Sequence, residues 1–295
     1  MRSSGHPCRR AGRIDCTQTD RTQSDGGRGK KILYIVGIGP GSLKHLSKRA
    51  EEVLRSVDAV VGYETYINLI RPIIKAERVI SSSMTKEVER VLAAIHIVKK
   101  GRACAIVCSG DPGIYAMAGL VFEICKTNNL SVSPALAEPG IKSDPSTIAV
   151  EVIPGIPALC AGASLLGAPL THDFAAVSLS DLLTPWDVIE RRLRAAAEAD
   201  FVIVLYNPRS KRRSWQLEKA QKTVLEYRDK RTPVGLVTNA MRKEQKVEIV
   251  PLESLHKAEV GMRTTVFIGS STSFRYLDYM VTSRGYSNKY SLELS

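Results

Sequence analysis

Long apolar runs are missing from this chain. No stretch approaches the roughly 18 consecutive apolar residues of a membrane-spanning helix, which excludes an integral helical membrane protein. Cysteine is scarce: six residues, at 8, 16, 104, 108, 125 and 160, are spread over 295 positions. They are too scattered for a disulfide framework, and no CxxC pair occurs, which argues against a zinc ribbon or a thioredoxin-type site. No other metal-ligand pattern is present, so no metal is expected. Cys104 and Cys108 lie in the apolar run 103–108 and read as buried thiols, and a reducing, cytoplasmic setting fits. Aromatic residues make up only 6%, with no aromatic-rich basic stripe of the kind that stacks nucleobases. No GxxxxGK[ST] loop occurs, so a P-loop nucleotide site is excluded. There is no internal repeat at a solenoid period, and no apolar segment near the first residue that would make a secretory signal.

What remains is an ordinary globular composition, 44% hydrophobic and 24% charged. At this length a single core usually stops growing, so two domains are expected. The net charge is +12, and residues 1–31 supply +5 of it from eight Lys/Arg against three Asp. The remaining +7 suits an anionic partner: nucleic acid, anionic lipid or a small polycarboxylate. The missing aromatic stripe turns that choice away from nucleic acid. Residues 1–30 are polar, without apolar periodicity, and read as a disordered extension.

From Lys31 the texture alternates. Ile32 to Ile38 is a buried-strand pattern broken by Gly39-Pro40-Gly41, and Leu43, Leu46, Ala50, Val53, Leu54 and Val57 follow at helical spacing. Asp58 to Val61 and Ala103 to Cys108 read as strands. Between them Val88 to Val98 reads as a helix closed by Lys99-Lys100-Gly101, cations and a glycine suited to a helix C-terminus. Ile114 to Lys126 is the next helix. Such β-α-β-α alternation predicts a parallel sheet with helices on its faces. Residues 127–148 break the pattern and read as an irregular connector, so a domain junction is expected at or just after them. A second α/β series begins at Ala149 to Ile153. One antiparallel pairing, between 234–238 and 247–251, makes its sheet mixed. The expected architecture is α/β: residues 31–148 and 149–290 form two α/β domains, parallel then mixed.

Ligands of open α/β sheets bind beyond the carboxyl ends of the strands. Small, bend-permitting residues gather there: Gly37-Ile38-Gly39-Pro40-Gly41, Ser109-Gly110-Asp111-Pro112-Gly113, Pro154-Gly155-Ile156-Pro157-Ala158, Tyr206-Asn207-Pro208 and Thr238-Asn239-Ala240. The first is not a dinucleotide fingerprint, because GxGxxG would need glycine where Ser42 stands and Pro40 lacks an N–H for a phosphate.

The order of these elements resembles the tetrapyrrole methylase family, S-adenosyl-L-methionine-dependent methyltransferases of sirohaem and cobalamin synthesis. The resemblance covers about residues 31–290 and rests on VGIGPG (36–41), SGDPGIY (109–115), VIPGIPAL (152–159) and PLTHDF (169–174). More narrowly, GYETY (62–66), MTKEVER (84–90), SLSDLLTPW (178–186) and LYNPRSKRR (205–213) are similar to the branch that methylates C-17 of precorrin-3B or cobalt-factor III. The resemblance implies a cofactor site at Gly39, Pro40, Gly41, Ser109, Gly110, Asp111 and Ile114 in the first half. In the second half it implies Pro157, Ala158, Tyr206, Asn207, Ala240, Thr264 and Thr265. Asp111 is the natural carboxylate for the cofactor's positive charge. Pro157 departs from the family, which usually carries a small hydroxyl residue there, and the stretch 131–148 looks longer than the family needs.

The implied substrate is a tetrapyrrole with many carboxylates, for which Arg209, Lys211, Arg212 and Arg213 are the candidate partners, since guanidinium pairs bidentately with carboxylate. In this branch methylation accompanies ring contraction, which needs proton transfers. The candidate groups are Asp111, Tyr115, His172, Asp173 and Tyr63, with Glu64 and Thr85 beside them. A homodimer is implied by resemblance alone, with no nucleic-acid or membrane partner. The competing readings are a sister methylase acting at another ring position, a nucleic-acid methyltransferase of the same superfamily and a protein that binds S-adenosylmethionine without catalysis.

Overall fold

The computed structural model describes residues 31–135, 146–210 and 214–293. The extension 1–30, the middle of the connector and Lys211, Arg212 and Arg213 lie outside the described residues.

Six strands form the first sheet: β1 (Ile32–Gly37), β2 (Ala59–Tyr63), β3 (Arg78–Ser82), β4 (Cys104–Cys108), β5 (Val132–Pro134) and β6 (Ile148–Ile153). Their spatial order is β3-β2-β4-β1-β6-β5, and every pairing is parallel. Side chains alternate between faces with the strand period of two. Leu33, Ile35, Cys104, Ile106 and Cys108 pack on one side, against α3 (Glu87–Lys99) and α4 (Met117–Thr127). Val36, Ile38, Ala105 and Val107 pack on the other, against α1 (Lys48–Ser56) and α2 (Glu64–Ile70). Strands buried on both faces read as continuous apolar runs, which is why β1 and β4 show no polar alternation. Local signals set the helix ends. Ser47 accepts the Ala50 N–H to cap α1, and α3 closes on Gly101 in the left-handed region, φ 83°. The chain enters α4 later than the apolar pattern implies, because Tyr115 takes φ 51° and the helix starts at Met117.

The sheet pairing corrects one expectation. Residues 148–153 do not open the second half: β6 pairs in parallel with β1, Ile35 opposite Val152, inside the first sheet. The connector is therefore a crossover. It contains the edge strand β5 and brings the chain back to the free side of β1. Its proline- and serine-rich texture resembles a linker because an edge strand of three residues leaves little apolar signal. The changeover to the second sheet falls at Pro154–Pro157.

The second sheet contains β8 (Phe174–Ser178), β9 (Val202–Tyr206), β10 (Pro233–Thr238), β11 (Lys246–Pro251) and β12 (Thr264–Ile268), in the order β11-β10-β12-β9-β8. It is mixed, as the sequence implies: β8 and β9 are parallel, and β10 is antiparallel to both β11 and β12. Helices α6 (Trp186–Glu198) and α7 (Gln216–Leu225) cover one face through Ile189, Leu193, Leu217 and Val224. Helix α5 (Ala158–Leu166) covers the other, with Leu159 and Leu166 packed on Val237 and Phe267. A small third sheet, β13-β14-β7, joins Gly167–Ala168 (β7) to the hairpin Ser273–Tyr276 (β13) and Tyr279–Thr282 (β14). Nothing in the sequence reading anticipates it. Among the described residues, no helix is long and apolar enough to cross a membrane.

The two cysteines of β4 are fully buried, and burial pushes both thiols up to about 12. A raised thiol pKa keeps the group protonated, hence unreactive, at all pH values well below it. At pH 8, iodoacetamide is expected to label exposed Cys160 and to leave Cys104 and Cys108 unmodified until denaturant is added, as read by peptide mass mapping.

Candidate functional site

Strands β4, β1 and β6 are neighbours at the centre of the first sheet, so their three glycine-proline turns emerge side by side at the carboxyl edge. Gly39 and Gly110 pair through their main chains, N–H to O, at 2.8 and 3.2 Å. A Cβ on Gly37 would stand 2.6 Å from Gly110 O and 2.7 Å from Gly155 N, and one on Gly155 would overlap Gly110 O. Asp111 ties the same loops together: Oδ1 accepts the Gly113 N–H at 2.8 Å and Oδ2 the Gly155 N–H at 3.2 Å.

Above these turns lies a cavity of about 220 Å³. Pro40, Ser109, Gly110, Asp111, Ile114 and Tyr115 form its wall on the first sheet. Pro157 and Ala158, at the start of α5, form a second wall. Tyr206 and Asn207 arrive at the end of β9, and Ala240 follows the end of β10. Thr264 and Thr265 complete the lining from the start of β12, because β12 runs antiparallel to β9 and β10 and so begins where they end. Gly39 and Gly41 do not line the cavity. They take φ 66° and 117° on either side of Pro40 and so set the turn that presents it.

Other expected residues stand elsewhere. His172 and Asp173 are exposed and bonded to each other, Asp173 N–H to His172 Nδ1 at 2.8 Å. They precede β8, so they sit at the amino end of a strand whose carboxyl end faces the cavity. Tyr63 ends β2 and packs edge-on against Tyr66 at 5.1 Å, and Tyr66 is the one that reaches the lining. Glu64, Thr85 and Arg209 are exposed and outside the lining.

The lining also holds residues that the sequence reading does not assign to the site: Tyr66, Val237, Asn239, Arg242, Met262 and Arg263. Arg242 is the most informative. It leaves the β10–β11 loop of the second sheet, and its Nε donates to Pro40 O and its Nη2 to Ser109 Oγ at 2.9 Å, both on the first sheet. It forms no salt bridge with a carboxylate among the described residues, and desolvation pulls its pKa below the ordinary arginine value. The signal for it was its position, two residues beyond the Asn239-Ala240 turn. Asn239 and Met241 in that turn have φ 52° and 58°, and buried Asn239 Oδ1 has no hydrogen-bond partner.

Tyr115 and Tyr206 meet with ring centroids 5.1 Å apart. Tyr115 Oη donates to Ala176 O at 2.9 Å, a third bond between the two halves. Burial raises both phenols, Tyr206 to about 12, so both stay protonated at neutral pH. Among the described residues the lining has no histidine, cysteine or lysine. Those present are hydrogen-bonding and apolar groups suited to holding and aligning a ligand. Because the neighbours of Gly155 are main-chain atoms that cannot swing away, Gly155→Ala is expected to cost about 3 kcal/mol, the upper end for overpacking. The check is the urea unfolding midpoint against the parent protein.

The chain matches the family model described as Tetrapyrrole (Corrin/Porphyrin) Methylases over residues 32–256. It is 45% identical over 263 residues to a Priestia megaterium protein named cobalt-factor III methyltransferase, covering 89% of this chain and 46% of that one. It is 42% identical over 255 residues to a Salmonella typhimurium protein named probable cobalt-factor III C(17)-methyltransferase, covering 86% of this chain and 99% of that one. The chain thus spans about half the length of the first relative and nearly all of the second. Among solved structures, the methyltransferase CobJ superposes with a TM-score of 0.74 at 29% identity, covering 86% of this chain and all of that one. A family match across most of the described residues, on a fold whose strand ends converge in one cleft, places this chain in the tetrapyrrole methylase family.

Proposed function

We propose that this protein is an S-adenosylmethionine-dependent methyltransferase that methylates C-17 of cobalt-factor III, with contraction of the macrocycle, in construction of the corrin ring. The observation that carries the reading is the convergence of the GPG, GDPG and PGIP turns on one cavity with the ends of β9 and β10. The choice of cobalt-factor III over precorrin-3B follows the names of the relatives at 42–45% identity.

The residues present fit this cofactor. Gly110, at φ 68°, turns no side chain toward Pro157 and Ala158, and an added Cβ there would lie 3.5 Å from Pro157 Cα. Ile114, Val237 and Met262 offer apolar surface beside hydroxyls of Thr264 and Thr265, the mixture that an adenosine with an amino-acid tail requires. Pro40, Ser109, Gly110, Asp111 and Ile114 would hold it from the first sheet. Pro157, Ala158, Tyr206, Asn207, Ala240, Thr264 and Thr265 would hold it from the second. When bound, it supplies an already activated methyl group. The chain then has to align donor and acceptor and keep water out, and a cleft roofed by two sheets serves both ends.

Asp111 spends both carboxylate oxygens on main-chain N–H groups. Its part is to hold the turns, with its negative charge directed toward a cationic ligand. Tyr115 is the phenol at the cleft for proton handling. His172, Asp173 and Tyr63 are not brought to the cavity, so we assign them no part in the reaction. Arg242 and Arg263 line the cavity and suit the substrate's carboxylates, with exposed Arg209 at a distance from it. We read the protein as cytoplasmic, in accord with four free cysteines among the described residues, and as a homodimer, on the family resemblance.

The test is an anaerobic incubation with methyl-labelled S-adenosylmethionine, run separately with cobalt-factor III and precorrin-3B and followed by mass spectrometry and absorbance. A singly methylated, ring-contracted product is expected from cobalt-factor III. Label transferred to precorrin-3B alone would move the assignment to the metal-free route. Label in neither, with the cofactor bound, would move it to a sister methylase or a binding protein.

A further inference from the structure

Helix α5 begins without a cap of its own. Its N-cap residue is Pro157, which has no side-chain acceptor to offer and makes no capping bond. The first turn of any helix leaves its leading N–H groups unbonded, and a Ser, Thr, Asp or Asn at the N-cap normally accepts one of them. In this chain the acceptor comes from 47 residues away. Tyr206 Oη takes the Leu159 N–H at 3.0 Å, and Leu159 is the second residue of the helix.

The tyrosine is well placed to hold that bond. It ends β9, whose residues 202–205 are fully buried, and its main-chain carbonyl accepts the Leu179 N–H at 2.9 Å. Its ring is packed against Tyr115. The first turn of α5 is therefore pinned to the second sheet by one phenol. Pro157 and Ala158, at the head of that turn, line the cavity next to Tyr206 itself. If the turn loosens, one wall of the cavity loosens with it.

We propose that Tyr206 is a positioning residue that caps α5 in place of residue 157 and so fixes the Pro157–Ala158 wall of the cofactor cavity. The proposal rests on reading that cavity as the S-adenosylmethionine site. It separates two functions that an N-cap serine or threonine would combine. The helix end is held by a phenol from another strand, and position 157 is left free to be a rigid proline in the cavity lining.

The experiment compares the full-length parent, Tyr206→Phe, Tyr206→Phe/Pro157→Thr and Tyr206→Phe/Pro157→Ala. Two quantities are measured: affinity for S-adenosylhomocysteine by calorimetry, and hydrogen exchange over residues 156–162 without ligand. Tyr206→Phe keeps the ring and loses the acceptor. It is expected to speed exchange in the first turn of α5 and to weaken S-adenosylhomocysteine about tenfold, or ~1.4 kcal/mol. Threonine at 157 supplies a local cap, so the first double variant is expected to recover most of both losses. Alanine supplies none, so the second is expected to recover neither. Unchanged exchange in Tyr206→Phe, or equal recovery by alanine and threonine, would overturn the proposal. Failure of the parent protein to bind S-adenosylhomocysteine would instead overturn the cofactor reading, and the exchange data would still decide whether Tyr206 is the cap.

Discussion

Three stretches of main chain meet at the carboxyl edge of the first sheet at separations that only glycine permits. Gly37, Gly110 and Gly155 belong to the ends of β1, β4 and β6: a Cβ on Gly37 or Gly155 would strike the backbone of another turn, and Gly110 holds φ 68°, which other residues rarely adopt. The rest of the site depends on this contact. It lets the Gly39–Gly110 main-chain pair form and brings the Gly155 N–H to Asp111. It also sets Pro40, Ser109 and Pro157 around one hollow instead of three separate ones. A sheet of ordinary twist spaces its strands about 4.8 Å apart, and side chains at these turns would hold the loops farther from one another.

The second sheet is joined to this platform by a few polar bonds around the cavity. Arg242 reaches across to Pro40 and Ser109, and Tyr115 reaches back to Ala176. The arginine is a desolvated cation satisfied by neutral oxygens, which costs more than pairing with a carboxylate would. Among the described residues no carboxylate pairs directly with the guanidinium, so its charge stays available to the cleft that it shares with Asp111. Cavity shape and cavity charge therefore share one residue, and a change there alters both.

Much of this was readable in the residues. Strands buried on both faces announce themselves as apolar runs, and the turns that follow them are written in glycine and proline. These turns could be placed at the strand ends before any coordinates, and the family resemblance, not the local pattern, implied which of their residues, among them Pro40, Ser109, Asp111, Ile114, Pro157, Ala158, Tyr206, Asn207 and Ala240, face a ligand. What could not be read was pairing and direction. The partner of β6 is decided by which side of β1 is free, and nothing local to residues 148–153 records that. His172 and Asp173 look chemically able, but the direction of β8 carries them to the edge of the sheet remote from the cleft. Arg242 lies on an exposed-looking polar loop, MRKEQ, and only the fold turns one of its charges inward. The small third sheet was missed because its members are two to four residues long, too short for any period to show.

The position of the changeover has a consequence for how such proteins diversify. Because β6 completes the first sheet and α5 belongs to the second, the two halves of the chain do not part at the long connector but at the four residues Pro154–Pro157, inside the wall of the cavity. A gene recombined in the connector would detach β6 from β1, together with the glycine that closes the turn cluster. A gene recombined at the changeover would keep both sheets whole and splice the ligand site itself. Exchange of halves at that seam would preserve the strand pairing of each sheet while joining cavity walls from two different parents.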